Sequence, residues 1–453
     1  MFSRILITAA LAALSFNAGA GVSSEEAAKL GTTLTPIGAE KAGNAEGTIP
    51  EWTGGLTKIP ADYEQGSGIL PDPYAGEKPR LVITGENADE YKDKLTAVTY
   101  ALLKRFPTMR VDVYPTHRPV VFPERLVANT AKNAVGAKTI NEGNGLDNAL
   151  PGIPFPIPQD GYEVIWNHLV RFQGVATNAK YDSFNVDAAG VLTLSTTGIN
   201  WQQFPPYLPE NNDKVMKGDD PYWYLKQEYL APARRAGEIL LVKDSINPLD
   251  QPRRAWQYLP GQRRVKLAPE VSYDTPNPGT AGTTTYDDGF IFNGAMDRYD
   301  FKLVGKKEMF VPYNAYKAVF FPGTREEMVQ GHHFNPDLLR WELHRVWEVE
   351  ATLKPGKRHI YHKRVFYVDE DAWVALASDE YDARGELFRG VLGAFAFAYQ
   401  DKSVALNLQV AYDLVGGLFG VLGASGRYYG QKYVEPYSSR EWNPDSMAGA
   451  GIR

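Results

Sequence analysis

The chain has no cysteine among its 453 residues, which excludes disulfides, thiolate metal sites and a lipid-modified N-terminal cysteine. After the first 20 residues no uninterrupted apolar run reaches the roughly 20 residues that a membrane-crossing helix needs. A basic excess is missing too: the formal net charge is −6, and nucleic acid is not an expected partner. No phosphate-cradling GxxxxGK[ST] or dinucleotide GxGxxG occurs. Ser425, in "GASGR", lacks the second glycine of a nucleophile elbow. No enzyme activity and no cofactor are therefore expected.

The histidines do not form a metal site on paper. On a hairpin through residues 341–368, His344 and His362 would point to opposite faces, and His359 would lie roughly 26 Å from His344. "DEDAW" lacks the glycine and distal glutamate of a calcium loop. It reads as a solvated turn.

What is present begins with an export leader. Arg4 gives a positive start, Ile5 to Phe16 is apolar but too short to span a bilayer, and Ala18-Gly19-Ala20 offers small residues for cleavage near Ala20/Gly21. Arg4 is the leader's only charge, so the mature chain carries −6 − 1 = −7. A periplasmic protein without a membrane-spanning helix is expected.

Aromatic content of 12%, with 42 Gly and 31 Pro, favours strands, turns and ordered loops over a helical bundle. Residues 21–80 read as an extended segment laid over a surface, with Trp52 as an anchor. Residues 81–453 read as one large β domain with insertions. A helix is predicted over 88–105, where Asn87 and Glu90 have capping-box spacing and Tyr91, Leu95, Val98 and Leu102 share a face. Residues 128–148 read as a polar connection, and 161–172 as a short helix.

Hairpin follows hairpin beyond Gly174, which predicts an antiparallel sheet. In "AWQYLPGQRRVKLAP" a Gly261-Gln262 turn sets Trp256 opposite Leu267 and Tyr258 opposite Val265. In "RWELHRVWEVEATLKPGKRHIYHKRVFYVD" a Pro355-Gly356 turn sets Val346 opposite Val365, Leu343 opposite Val368 and Trp347 opposite Arg364. A further hairpin is expected to turn near Asp382 to Gly385. "DLVGGLFGVLGASGRYYG" fits either a bent edge strand or a loop.

The segment "NALPGIPFPIPQDGYEVIWNH" interleaves Ile153, Phe155 and Ile157 with Pro154, Pro156 and Pro158. Proline removes backbone donors and holds the chain near polyproline geometry, so these side chains are presented without inviting another strand. Two roles fit: a lid over a cavity, or a fixed loop that seals a core.

The stretches "LTPIGAEKAGNAEGTIPEWTGGL", "VDVYPTHRPV", "GIPFPIPQDGYEVIWNH", "AWQYLPGQRRVKLAP" and "NPDLLRWELHRVWEVEATLKPGKRHIYHKRVFYVDEDAW" together resemble the proteobacterial domain-of-unknown-function family 1329. That resemblance implies a fold like the lipoprotein carriers LolA and LolB, a strongly curved antiparallel half-barrel with helices and long loops over its concave side. It also implies work beside an RND-type inner-membrane exporter and a β-barrel-like outer-membrane protein. The fold class expected is thus β-rich α+β.

The function expected is binding and carriage of a lipid or other hydrophobic molecule. Trp256, Tyr258, Val265, Leu267, Leu343, Trp347, Phe366, Phe155 and Ile157 are the candidate ligand-binding residues. A cavity of this kind needs apolar walls and few polar groups, and leaves no catalytic signature. The alternatives are a secreted enzyme on an apolar or polymeric substrate, and an envelope scaffold that binds nothing. An outer-membrane barrel is disfavoured by the helix at 88–105 and by charge on both faces of the second hairpin.

Overall fold

The computed structural model describes residues 21–406 and 408–450. The expected leader and its cleavage point lie outside the described residues at 1–20. None of the described helices is long and apolar enough to cross a membrane.

Among the described residues there are six α-helices: α1 (Ser24–Ala27), α2 (Ala97–Arg105), α3 (Glu124–Gly136), α4 (Gly161–Leu169), α5 (Tyr316–Val319) and α6 (Asp445–Ala450). The strands open with β1 (Leu81–Ile83), β2 (Val111–Val113), β3 (Lys138–Ile140) and β4 (Gly145–Asp147). A meander follows: β5 (Ala176–Val186), β6 (Leu192–Gln203), β7 (Pro221–Ala231), β8 (Ile239–Ser245), β9 (Arg254–Leu259) and β10 (Arg264–Leu267). Then come β11 (Tyr299–Pro312), β12 (Val329–Gln330), β13 (His333–Phe334), β14 (Trp341–Leu353) and β15 (Lys363–Asp369). The last are β16 (Ala375–Tyr381), β17 (Leu387–Ala394), β18 (Leu408–Asp413), β19 (Leu418–Ala424) and β20 (Gln431–Tyr433).

One sheet of 16 strands runs β1-β2-β14-β15-β16-β17-β18-β19-β5-β6-β7-β8-β9-β10, with β11 also on β14 and β20 also on β5. Its pairings are antiparallel except for a single parallel bridge, Val113 to Trp341. The ends of the path do not meet, so the sheet is open, as a half-barrel requires. Register shifts at Leu303/Gly305, Tyr367/Val368, Ser183/Phe184 and Val421/Ala424 add the local twist that lets so long a sheet coil.

The β9–β10 hairpin has the expected register: Trp256 pairs with Leu267 and Tyr258 with Val265. Its loop differs, since four residues (260–263) turn the chain and the left-handed position falls on Arg263, not Gly261. The β14–β15 register is four residues from the expected one: Val346 pairs with Asp369, Trp347 with Val368 and Ala351 with Arg364. Pro355-Gly356 does form the turn, with Lys357 N donating to Lys354 O. The chain then leaves the strand so that His359 and Tyr361 reach Asp287 (3.0 Å) and Asp288 (3.0 Å).

Three further expectations are corrected. The helix over 88–105 is a 3-10 turn (Ala88–Lys94) and a separate α2. Asp379, on β16, accepts from Ala97 N and Val98 N at 2.8 Å each and so starts α2 afresh, with Thr96 as its N-cap. The polar connection 128–148 contains most of α3 and the β3–β4 hairpin. "DLVGGLFGVLGASGRYYG" supplies β19, an interior strand; a Cβ at Gly420 would lie 2.5 Å from Thr283 Oγ1, so its glycine admits a crossing segment.

That segment, 275–296, crosses the face of the sheet that α4 also covers, here called the inner face. Thr196 donates to Gly279 O, Ile291 N to Gln409, and Arg253 to Asn293 O. Arg364, fully buried, binds Asp288 at 2.8 Å and lies 3.4 Å from Asp287. Burial and the neighbouring Asp288 push the Glu380 carboxyl beside them up to about 8. Much of the inner hollow is therefore filled by the chain itself.

The proline ribbon is fixed and buried. Asn167 of α4 accepts from Phe155 N (2.9 Å) and donates to Phe155 O (2.7 Å). Asn133 of α3 holds Leu150 and Ile153, and Thr130 takes Ile153 N. The N-terminal segment closes over it: a Cβ at Gly38, φ +99°, would fall 1.8 Å from Pro156 O. Of the two roles open in the sequence, the sealing loop is the one seen.

Candidate functional site

A cleft of about 520 Å³ opens where β11 and β14 meet β1, β2 and the 3-10 turn 88–94. That is within the roughly 300–1,000 Å³ range of small-molecule sites. Its floor is the cross-strand pair Phe310 and Leu343. Tyr91 stands edge-on to Phe310 at 6.1 Å, and Leu81 and Val113, partners in β1–β2, form a side wall. Because Asp379 restarts the helix at Ala97, the turn before it is free to lean Tyr91 over the sheet. Arg80, Glu90, Lys94 and Glu46 contribute charge to the lining.

The walls are held from behind by buried ion pairs. Arg340 binds Glu77 and Glu342 at 2.6 Å each, donates to Pro115 O at 2.8 Å and lies 4.8 Å over the Tyr114 ring. Glu342, fully buried, also takes His117 N, Asn314 and His344. Thr116 Oγ1, in the lining, donates to Leu343 O at 2.9 Å and is thereby committed to the floor strand's backbone. Burial raises the Glu77 carboxyl, but bonds from Arg340 and His117 outweigh it and hold the group below its usual range. Burial raises the Tyr114 phenol. The arrangement supplies apolar area and a charged mouth.

Across the 88–94 turn lies a second, more open space of about 750 Å³, floored by Leu95, Met309, Tyr367 and Leu387; it shares Asp93 and Lys94 with the first. A smaller inner-face cavity of about 250 Å³ remains between α4 and β7–β8, walled by Trp166, Leu169, Tyr222 and Met296. Among the described residues no three His, Asp or Glu side chains are grouped to hold a metal.

The candidate residues from the sequence are dispersed. Leu343 lines the cleft. Phe366 is fully buried on the inner face against Phe292 and Phe301. Trp347 stacks on Trp373 with Lys306 Nζ 4.6 Å from its ring. Trp256, Tyr258 and Val265 come together, but on the outer face, against Trp442 and Met447 of the C-terminal segment. Leu267 is 59% exposed. Phe155 is buried and Ile157 half-buried in the ribbon. Phe310, Leu81 and Val113 were not singled out, and Tyr91 was read only as part of a helix face; the cleft that joins them is made by elements distant in sequence.

A family model described as a protein of unknown function (DUF1329) matches residues 82–448. An uncharacterized protein of Pseudomonas aeruginosa is 44% identical over 464 aligned residues, covering 100% of this chain and 99% of that one. A DUF1329 family protein from Desulfovibrio piger is 17% identical, with 60% of this chain and 92% of that chain covered and a TM-score of 0.41. A LolA superfamily protein from Nitrosomonas europaea is 13% identical, with 64% and 100% covered and a TM-score of 0.37.

Proposed function

The chain belongs to the DUF1329 family of proteins of unknown function, and from that footing we propose that it binds and carries a lipid or other hydrophobic small molecule in the periplasm. The observation that supports this most is the cleft of about 520 Å³ floored by Phe310 and Leu343, with Tyr91 as its overhang. Burying a methylene contributes about 0.8 kcal/mol. Ten would give about 8 kcal/mol, of the same order as the roughly 4–15 kcal/mol that association opposes. Longer chains would then be held more tightly than shorter ones, without charge recognition, and released when a partner offers equal apolar area. Delivery to or from an envelope export system is part of the same reading.

The test is native mass spectrometry of the protein purified from its own periplasm, with solvent extraction of whatever is bound. Recovery of an apolar molecule in near-stoichiometric amount supports carriage. A ligand-free protein that also takes up no acyl chain in vitro contradicts it.

A further inference from the structure

A fourth space, of about 350 Å³, lies apart from that cleft, between the loop 205–221, β7–β8 and the C-terminal segment 436–442. Tyr224, Tyr437 and Trp442 pack against one another there, with ring centroids 5.4 and 5.8 Å apart. Lys243 lines the same space with its ammonium 4.9 Å from the Tyr224 ring.

The charges are unusual. On the outer face, Lys243 of β8 sits directly opposite Arg254 of β9. Like charges so placed destabilise a sheet. Neither is in an ion pair among the described residues, whereas nearby cations are matched: Lys214 with Asp220 at 3.3 Å, and Lys226 with Glu441 at 2.8 Å. Burial, then Arg254, lowers the Lys243 ammonium below its ordinary range, with no acid acting the other way. The exposed Glu210 is the remaining unpaired carboxylate in the lining. Arg254 stands beside Lys243 but outside the lining, and Lys243 is the lining's cation without a carboxylate partner among the described residues.

We propose that this space binds a small organic monoanion, a carboxylate on a flat unsaturated body, with the carboxylate on Lys243 and the body against Tyr224 and Trp442. The single unmatched ammonium of Lys243 sets the valence, and the aromatic rings set the shape. The site is independent of the hydrophobe cleft and of the carrier reading.

Benzoate and its neutral isostere benzamide are titrated into the full mature chain by calorimetry, alongside the variants Lys243→Gln, Arg254→Gln and Leu343→Trp. Benzoate is expected to bind at least tenfold more tightly than benzamide. Lys243→Gln should abolish that preference and Arg254→Gln should reduce it, while thermal unfolding is not lowered, since each change relieves the like-charge pair. Leu343→Trp, which fills the other cleft, should leave the benzoate and benzamide affinities as in wild type. Equal binding of the two probes, no binding of benzoate, or an undiminished preference in Lys243→Gln overturns the proposal. Loss in Leu343→Trp alone would also overturn it, by moving the ligand to the hydrophobe cleft.

Discussion

Asn167→Leu should destabilise the protein by about 2–6 kcal/mol. The side chains are close in volume, so the change removes hydrogen bonds without opening a large cavity. Asn167 is fully buried, and both its polar atoms serve one residue of the proline ribbon, Phe155 N at 2.9 Å and Phe155 O at 2.7 Å. Leucine leaves a buried backbone donor and a buried backbone acceptor unpaired, and each such group costs about 1–3 kcal/mol. The neighbouring ribbon bonds to Asn133 and Thr130 cannot shift to compensate, because they hold Leu150 and Ile153. Urea unfolding of wild type and variant gives the difference, and hydrogen exchange shows whether residues 150–158 lose protection first. A loss under about 1 kcal/mol, with unchanged exchange, would refute the view that the ribbon is a fixed seal anchored by α3 and α4.

Arg364→Met should destabilise by about 3–5 kcal/mol, because it leaves Asp287, Asp288 and Glu380 buried together without their cation; chemical unfolding would show it, and a neutral result would contradict the proposed anchor of segment 275–296. Glu163 carries a pH signature: burial pushes its carboxyl from 4.5 up to about 7. A raised carboxyl pKa stabilises the fold fully below about 4.5 and ceases to do so as pH rises through about 7, a span worth about 3 kcal/mol at 1.36 kcal/mol per unit. Glu163→Gln should therefore gain stability relative to wild type between pH 5 and pH 8, and equal differences at the two pH values would contradict that. Asp379→Ala should fray α2 and cost about 1–2 kcal/mol through its lost N-terminal bonds, read as reduced amide protection at Ala97 and Val98.

Local pattern carried the fold where partners were close in sequence. The β9–β10 register followed from alternation over a short loop, although the loop placed its left-handed residue at Arg263. The β14–β15 register slipped because residues 354–362 obey Asp287 and Asp288, about 70 positions away. The same holds for the break before α2, which Asp379 imposes from β16. α3 was missed because its buried face is partly polar: Asn129 and Asn133 donate to the ribbon's Pro151 O and Leu150 O, and Thr130 accepts from Ile153 N. Leu343 was legible as an inward apolar residue, but the cleft it floors is assembled from the 88–94 turn, β1–β2 and β11. No single stretch of sequence contains that enclosure.

The most direct test is titration of a fluorescent long-chain fatty acyl probe into wild type, Leu343→Trp and Trp256→Asp. Leu343→Trp should cut affinity at least tenfold by filling the floor beside Phe310, whereas Trp256→Asp, on the outer face, should leave it within about twofold. Undiminished binding in Leu343→Trp, with loss in Trp256→Asp, would contradict the assignment of the cleft as the hydrophobe site.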